Sequence, residues 1–558
     1  MDSRRLIVFI ALSLGLLILW DKYVEPPQAT TVKSTQTVTS ANMVTNNGAA
    51  NTNQISTVNA TSTAANAKSI MVTTDTLQAS ISTVGGDLRD IDLLTHGADN
   101  DKKQPYPLLL DNDKRVFIAQ TGLVSGNVGG LPNHNTIFTT NEYNYTLKPN
   151  EDTLIVSLNA NESGIDVVKS YTFKRGSYVI DVSYQITNTT NTPLNQVSAY
   201  WRLLRDTATP EGETKFASTF TGAAYYNNTE KFNKIKFGDI TKNEMSYPEK
   251  TDDGWVGFIE HYFATMWLLD ANSMQKVCIN GVTCRLNFRA EGDLVSSGIL
   301  TDLPIIAPHT KYAISVPLFA GPESYKVLAT VAPHLELIKD YGWVYIFATP
   351  LFWLLVKLFD FVQNWGYAII LLTFVVKMVL YPLTRSGYIS MGKMKALSPK
   401  IADLKTQYGD DRVKLQTAMM QLYKSEKVNP VGGCLPMVLQ IPVFIGLYWA
   451  LLSSVELRQA SFLWIHDLSR PDPYYILPVV LAITMYLQTF LNPPPADPVQ
   501  AKMMRIMPVA FSVMFFFFPA GLVLYWLVNN VLTMAQQWYV NTHVTLRRKS
   551  REMLKHKK

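Results

Sequence analysis

Lys377 is the residue whose placement asks for a chemical role. It lies in the apolar run 367–383, with Thr373 as its only polar company before Tyr381. A cation at the centre of a membrane span costs about 2.5–3.5 kcal/mol on insertion scales. Thr373, Lys377 and Tyr381 are spaced i, i+4, i+8 and share one helix face. Two readings stand. The stem of Lys377 could snorkel to the interface past Leu383, six residues or about 9 Å away along the axis. Alternatively, the polar face points into a bundle or a water-filled cavity. Other apolar runs offer matching faces. Tyr525, Asn529 and Thr533 repeat the i, i+4, i+8 spacing, with Trp526 and Asn530 beside them and Gln536 and Gln537 beyond. Gln440 sits between Pro436 and Pro442, and Thr484 and Gln488 are four apart. Such groups also join helices by hydrogen bonds worth about 0.6–2 kcal/mol each, which is the plainest account of Thr484 and Gln488. No acid lies within these runs to pair with Lys377. Proton and ion relays usually chain carboxylates with His or Lys, so the pattern argues against a relay. It favours a hydrated groove in which a lone cation attracts acidic groups of a passing polypeptide.

The elements that must hold these residues follow from composition. Of 558 residues, 47% are hydrophobic and only 17% charged. A soluble average is about 25% charged, so part of the chain belongs in lipid. Residues 1–24 read as a membrane anchor: Arg4 and Arg5 precede the uncharged run 6–20, and no small-x-small cleavage site follows. Residues 25–69 form a Thr-, Asn-, Ser- and Ala-rich linker too polar to bury a core. Residues 70–333 read as an all-β domain, a large sandwich. The segments 167–173 and 178–187 alternate apolar and polar about a turn at Lys174, Arg175 and Gly176. Further turns are signalled at Gly85-Gly86, Gly129-Gly130 and Asn280-Gly281. This domain carries no P-loop, Gly-x-Ser-x-Gly, His-Glu-x-x-His or paired Cys-x-x-Cys motif. His96, His134, His261, His309 and His334 lack metal-ligand spacing. Cys278 and Cys284 flank Asn280-Gly281, where a three-residue hairpin loop would set them opposite one another. A disulfide and two free thiols both remain open. Cys434 reads as packing.

Charge sets the topology. The stretch 385–430 holds nine basic residues (Arg385, Lys393, Lys395, Lys400, Lys405, Arg412, Lys414, Lys424, Lys427) against four acids. The tail 541–558 is also strongly basic. By the positive-inside rule both are cytoplasmic, as are Arg4 and Arg5. An even number of spans must then separate them. The run 342–356, with Pro350 inside it, suits a helix lying in the interface, so 334–366 is assigned there. Spans are expected at 367–384, 431–454, 474–491, 503–518 and 519–540. With the anchor they make six transmembrane helices, with both termini cytoplasmic and the β domain in the periplasm. Residues 455–473 form an external loop and 492–502 a cytoplasmic one. Runs of 16 or 17 residues reach only about 24–26 Å, which thins the bilayer locally. The basic stretch reads as a helical hairpin. Ser398 and Pro399 signal its first helix, Gly409 a stop, and Asp410 or Asp411 the start of the second.

Several motifs resemble the YidC family of membrane protein insertases. They are Lys427-Val-Asn-Pro-Val-Gly-Gly-Cys-Leu-Pro-Met-Val-Leu-Gln-Ile-Pro-Val-Phe through Trp449, Tyr381-Pro-Leu-Thr384, Val455-Glu-Leu-Arg-Gln459, Trp464-Ile-His-Asp-Leu468, Asp472-Pro-Tyr-Tyr-Ile-Leu-Pro478 and Phe518-Pro-Ala-Gly-Leu-Val-Leu-Tyr525. The anchor and the large external domain resemble the Gram-negative form. The resemblance implies a five-helix core with a hydrophilic groove, a β-supersandwich domain outside, and insertion of nascent membrane proteins alone or with the Sec translocon. It implies a chaperone role, contact with Sec accessory subunits, the ribosome and membrane lipids, and no enzyme activity, cofactor, metal or DNA partner. It places Lys377 where the family usually has arginine, Thr373 on the groove wall, and Tyr525 and Trp526 against clients. The groove set is then Lys377, Thr373, Tyr381, Gln440, Tyr525, Trp526, Asn529 and Thr533. A transporter with a periplasmic ligand-binding domain is the alternative, but it predicts inverted repeats, and none is seen. A carbohydrate-active β domain would need paired acids that the sequence does not place.

Overall fold

The computed structural model describes residues 67–99, 101–208, 219–272, 276–339, 341–409, 411–426, 428, 435–492 and 498–556. The anchor at 1–24, nearly all of the linker, Cys434 and the prolines at 493–495 lie outside the described residues.

The β domain is two packed sheets, one of ten strands and one of eight. The cause is visible in single strands. Ile165–Lys174 alternates strictly between buried and half-buried positions, because successive side chains leave a strand on opposite faces. It pairs antiparallel with Val179–Asn188, setting Tyr171 opposite Val182 and Phe173 opposite Ile180. Gly176 (φ 67°) makes the turn between them, where the Lys-Arg-Gly signal puts it. Residues from both sheets, among them Val167, Tyr184, Trp201 and Trp267, close one apolar core. Gly85 and Gly86 have φ of 75° and 61°, conformations that side chains rarely adopt. A Cβ on Gly85 would also lie 2.6 Å from the carbonyl oxygen of His134.

Cys278 and Cys284 are disulfide-bonded, with Cα atoms 5.7 Å apart. Only Cys284 is on a strand, Thr283–Glu291. The bond therefore closes the loop that leads into this strand and does not cross-link two facing strands.

The helices that follow are α1 (Tyr345–Val362), α2 (Trp365–Ala396), α3 (Ser398–Tyr408), α4 (Arg412–Ser425), α5 (Leu435–Leu452), α6 (Ile476–Thr489), α7 (Pro498–Ser512) and α8 (Ala520–His556). Several boundaries differ from the sequence expectation. The apolar run from 367 is short, but α2 extends through 32 residues, about 48 Å. Lys and Arg are good helix formers, so the helix passes the polar boundary unbroken. The hairpin proper is therefore α3 and α4, not the whole of 385–430. Ser398 is not a cap: it is already helical, and Leu397 precedes it in a near-helical conformation. Asp411 does cap α4, accepting from the Lys414 amide at 3.1 Å. The tail expected to be separate from 541 onward continues α8 to His556. Among the described residues, α1 and α2 are both long and apolar enough to cross a membrane. Length and composition alone thus do not distinguish α1 from a span.

Candidate functional site: a polar cluster between three helices

The face of α2 changes character along its length. Near the β domain it is apolar, and Ile369 and Leu372 pack with Leu447 of α5 and Val523 of α8. Further along, the same face carries Thr373, Lys377, Thr384 and Tyr388, all buried. In parallel, α8 passes from Leu522 and Val523 to Asn530 and Gln537. A helix face repeats every three to four residues, so each face is one continuous stripe that starts apolar and ends polar. Asn530 and Gln537 bond to Thr484 and Asn492, so the polar part of the α8 stripe is turned to α6 and the chain beyond it.

Lys377 is at the change-over, 5% exposed. Its Nζ donates to Thr533 Oγ1 at 2.8 Å and to Gln440 Oε1 at 3.4 Å. Gln440 Nε2 donates to the Tyr525 hydroxyl at 2.9 Å. Thr533 in turn donates to the Asn529 carbonyl at 2.7 Å. One ammonium thus ties α2 to α5 and α8 through neutral oxygens. Among the described residues no carboxylate pairs with it. An ammonium has three donor hydrogens, and two are matched here. The nitrogen does not snorkel to a helix end.

The remaining expected residues divide. Thr373 is buried and donates back to the Ile369 carbonyl at 2.7 Å, on its own helix. Tyr381 and Asn529 are half-buried and give Lys377 no side-chain bond. Trp526 turns away from Tyr525 and packs on Phe444 and Phe515, with ring centroids 4.1 and 4.7 Å apart. The adjacent pair is therefore split between the polar cluster and an aromatic one. Asn530 donates to Thr484 at 2.9 Å, joining α8 to α6 as the plain reading of Thr484 has it.

A second set of residues has ion-pair partners that the sequence did not reveal. Lys339 Nζ meets Glu456 Oε2 at 3.2 Å, and the Lys339 side chain is only 2% exposed. Burial pushes the Glu456 carboxyl up, but Lys339 and the Ser454 hydroxyl outweigh it and hold it below its ordinary value. Asp99, Arg458 and Arg470 form a similar cluster between the β domain and the loop after α5. The motif Val455-Glu-Leu-Arg-Gln459 marked the stretch, but its residues alone do not name Lys339 and Asp99 as partners.

The architecture is a helical bundle, two of whose described helices are long and apolar enough to cross a membrane, joined to a large two-sheet domain. Residues 357–548 match the family described as 60Kd inner membrane protein, and residues 69–354 match the YidC periplasmic domain. A membrane protein insertase YidC of Laribacter hongkongensis is 54% identical over 552 residues, covering 98% of each chain. One of Neisseria meningitidis serogroup B is 45% identical over 563 positions, covering 99% of this chain and 100% of the other. A crystal structure of an active YidC insertase aligns over 85% of this chain and 92% of its own, with 20% identity and a TM-score of 0.38. The chain belongs to the YidC family of membrane protein insertases. It is an inner-membrane protein with a periplasmic β domain, and it inserts membrane proteins without enzymatic chemistry.

Proposed function

We propose that the cluster around Lys377 is the client-binding groove and that its unneutralised charge draws in acidic residues of a client's periplasmic tail. The observation that carries this reading is a buried ammonium held, among the described residues, by the neutral side chains of Gln440 and Thr533. A carboxylate arriving at Lys377 replaces neutral acceptors with a charged one and forms the stronger bond. Partitioning of the client's apolar helix into lipid supplies the driving energy. Six spans with both termini cytoplasmic, α1 lying in the interface, and work beside the Sec translocon, its accessory subunits and the ribosome complete the proposal. Its chaperone role belongs to the same groove.

Changing Lys377 to Ala or Glu in the full chain tests it. Insertion of clients with acidic periplasmic tails should fall at least tenfold, and the fall should be larger for Glu. Clients with uncharged tails should insert as before. Normal insertion of acidic-tailed clients by both variants discards the charge mechanism. Photo-crosslinking from Thr373 and Tyr525 to a stalled nascent chain maps the contact directly.

A further inference from the structure

The far end of α2, away from the β domain, brings together two cations that the cluster around Lys377 does not use. Phe490 is the C-cap of α6. Carbonyls at a helix C-terminus have no partner within the helix. Lys395, in the last turn of α2, donates from Nζ to the Phe490 carbonyl at 2.7 Å. Arg505, on α7, lies over the Phe490 ring, with its guanidinium carbon 5.7 Å from the centroid. Two positive groups from different helices thus meet one residue. Each has donors to spare, since an ammonium carries three and a guanidinium five. Among the described residues neither pairs with a carboxylate, and Arg505 meets no hydrogen-bond acceptor. Like charges gathered in this way repel unless an anion joins them.

The chain just past Phe490 is tied to α8. Gln537 Nε2 donates to Asn492 Oδ1 at 2.9 Å, and Asn541 Nδ2 to the Leu491 carbonyl at 3.5 Å. The residue that the two cations meet is therefore fixed in place. Apolar surface leads up to it. Ile476, Val480, Ile483, Leu487 and Phe490 fall on one face of α6 by helical period, and all five are exposed. On α7, which packs against α6, Lys502, Ile506 and Val509 share a face and are exposed as well. Exposed apolar stripes are ordinary on helices in a membrane. Here both stripes run into basic residues at the same end.

We propose that this crevice binds an acidic phospholipid, its phosphate seated between Lys395 and Arg505 and its chains along the stripes of α6 and α7. The two parts of the surface select the ligand together. A free phosphate satisfies the cations but leaves the stripes unused. A zwitterionic lipid brings an ammonium of its own, which the two cations repel. Basic pockets between membrane helices favour anionic headgroups for this reason. The site is separate from the groove and does not depend on the charge of Lys377.

The test is native mass spectrometry of the purified full chain in detergent, with phosphatidylglycerol and phosphatidylcholine offered at equal concentration. The first phosphatidylglycerol should be held about tenfold more tightly than phosphatidylcholine. Lys395→Gln with Arg505→Gln should weaken it about thirtyfold and leave phosphatidylcholine unchanged. Arg505→Gln alone, which breaks no hydrogen bond seen here, should weaken it about fivefold and serves if the double variant does not fold. Lys395→Arg with Arg505→Lys keeps both charges and should keep the preference. Lys405→Gln with Lys424→Gln removes as much charge from exposed positions of α3 and α4 and should leave the preference in place. Inorganic phosphate in large excess should not displace the lipid. The proposal is overturned if Arg505→Gln and the double variant retain the preference, or if the Lys405 and Lys424 changes abolish it equally. Displacement by inorganic phosphate overturns it too, because the site would then hold a bare anion. So does a double variant that loses only ribosome binding, because the cations would then serve RNA.

Discussion

Two buried lysines, one in each half of the molecule, show how surroundings decide what a charge is for. Lys169 lies in the β domain with its side chain fully buried. Its Nζ donates to the Gly85 carbonyl at 2.9 Å, stands 3.8 Å from Asp87 Oδ1, and is 5.5–5.8 Å from the rings of Phe138, Tyr171 and Tyr184. Asp87 is itself held by Gln120 at 3.0 Å. Burial still pulls Lys169 down to about 8, with Asp87 opposing the shift. A carboxylate buried beside it opposes this charge from within the fold, so the charge is structural. Lys377 is nearly as buried, but its partners are a hydroxyl and an amide. A neutral pair satisfies its geometry without cancelling its charge, which remains available to a visiting carboxylate.

The comparison predicts opposite phenotypes. Lys377→Glu should give the largest functional loss of any single change in the cluster, with a melting temperature close to that of the unaltered chain. Asp87→Ala should do the reverse. Removing one partner of a buried pair costs about 3–5 kcal/mol, so thermal unfolding of the β domain should shift markedly downward. Residual insertion should track the amount of folded protein.

Acid offers a graded version of the same test. Burial, and then the charges of Arg202, Arg89 and Lys169, hold His134 at about 4 against its ordinary 6.5. The folded chain therefore binds this proton less readily than the unfolded chain does. The stability contribution is complete above pH 6.5 and is lost as pH falls toward 4. At about 1.4 kcal/mol per unit, the loss amounts to about 3 kcal/mol. His134→Gln should flatten that part of the pH dependence, measured by unfolding of the full chain between pH 7 and 4. The smallest effect belongs to Lys377→Arg. A guanidinium keeps the charge and changes only its shape, so acidic-tailed clients should insert within about twofold of the starting rate. A tenfold loss would show that the site depends on the compact ammonium and its particular bonds to Gln440 and Thr533.

Much of this was legible in the residues. The alternation along 178–187, the turn at Gly176 and the helix start at Asp411 are local effects, set by side-chain direction and backbone freedom within a few positions. The stripe of Thr373 and Lys377 was legible for the same reason, since helical period alone puts them on one face. Tyr525 and Trp526 mark the limit. Adjacent residues on a helix point about 100° apart, and which of the two meets Gln440 depends on where α5 lies. The unbroken run of α2 into its basic end was also misread, because hydropathy marks a lipid boundary and not a helix end.

Composition and charge pattern by themselves determined a lipid-embedded half, an external β half and an isolated cation among apolar residues, because each depends on local residue type and its transfer energy. Tertiary structure alone decided that this cation faces Thr533 and Gln440. It alone decided that Asp99 waits for Arg458 across 359 positions of chain. Partners so far apart are chosen by how packed surfaces fit, which no run of neighbouring residues encodes.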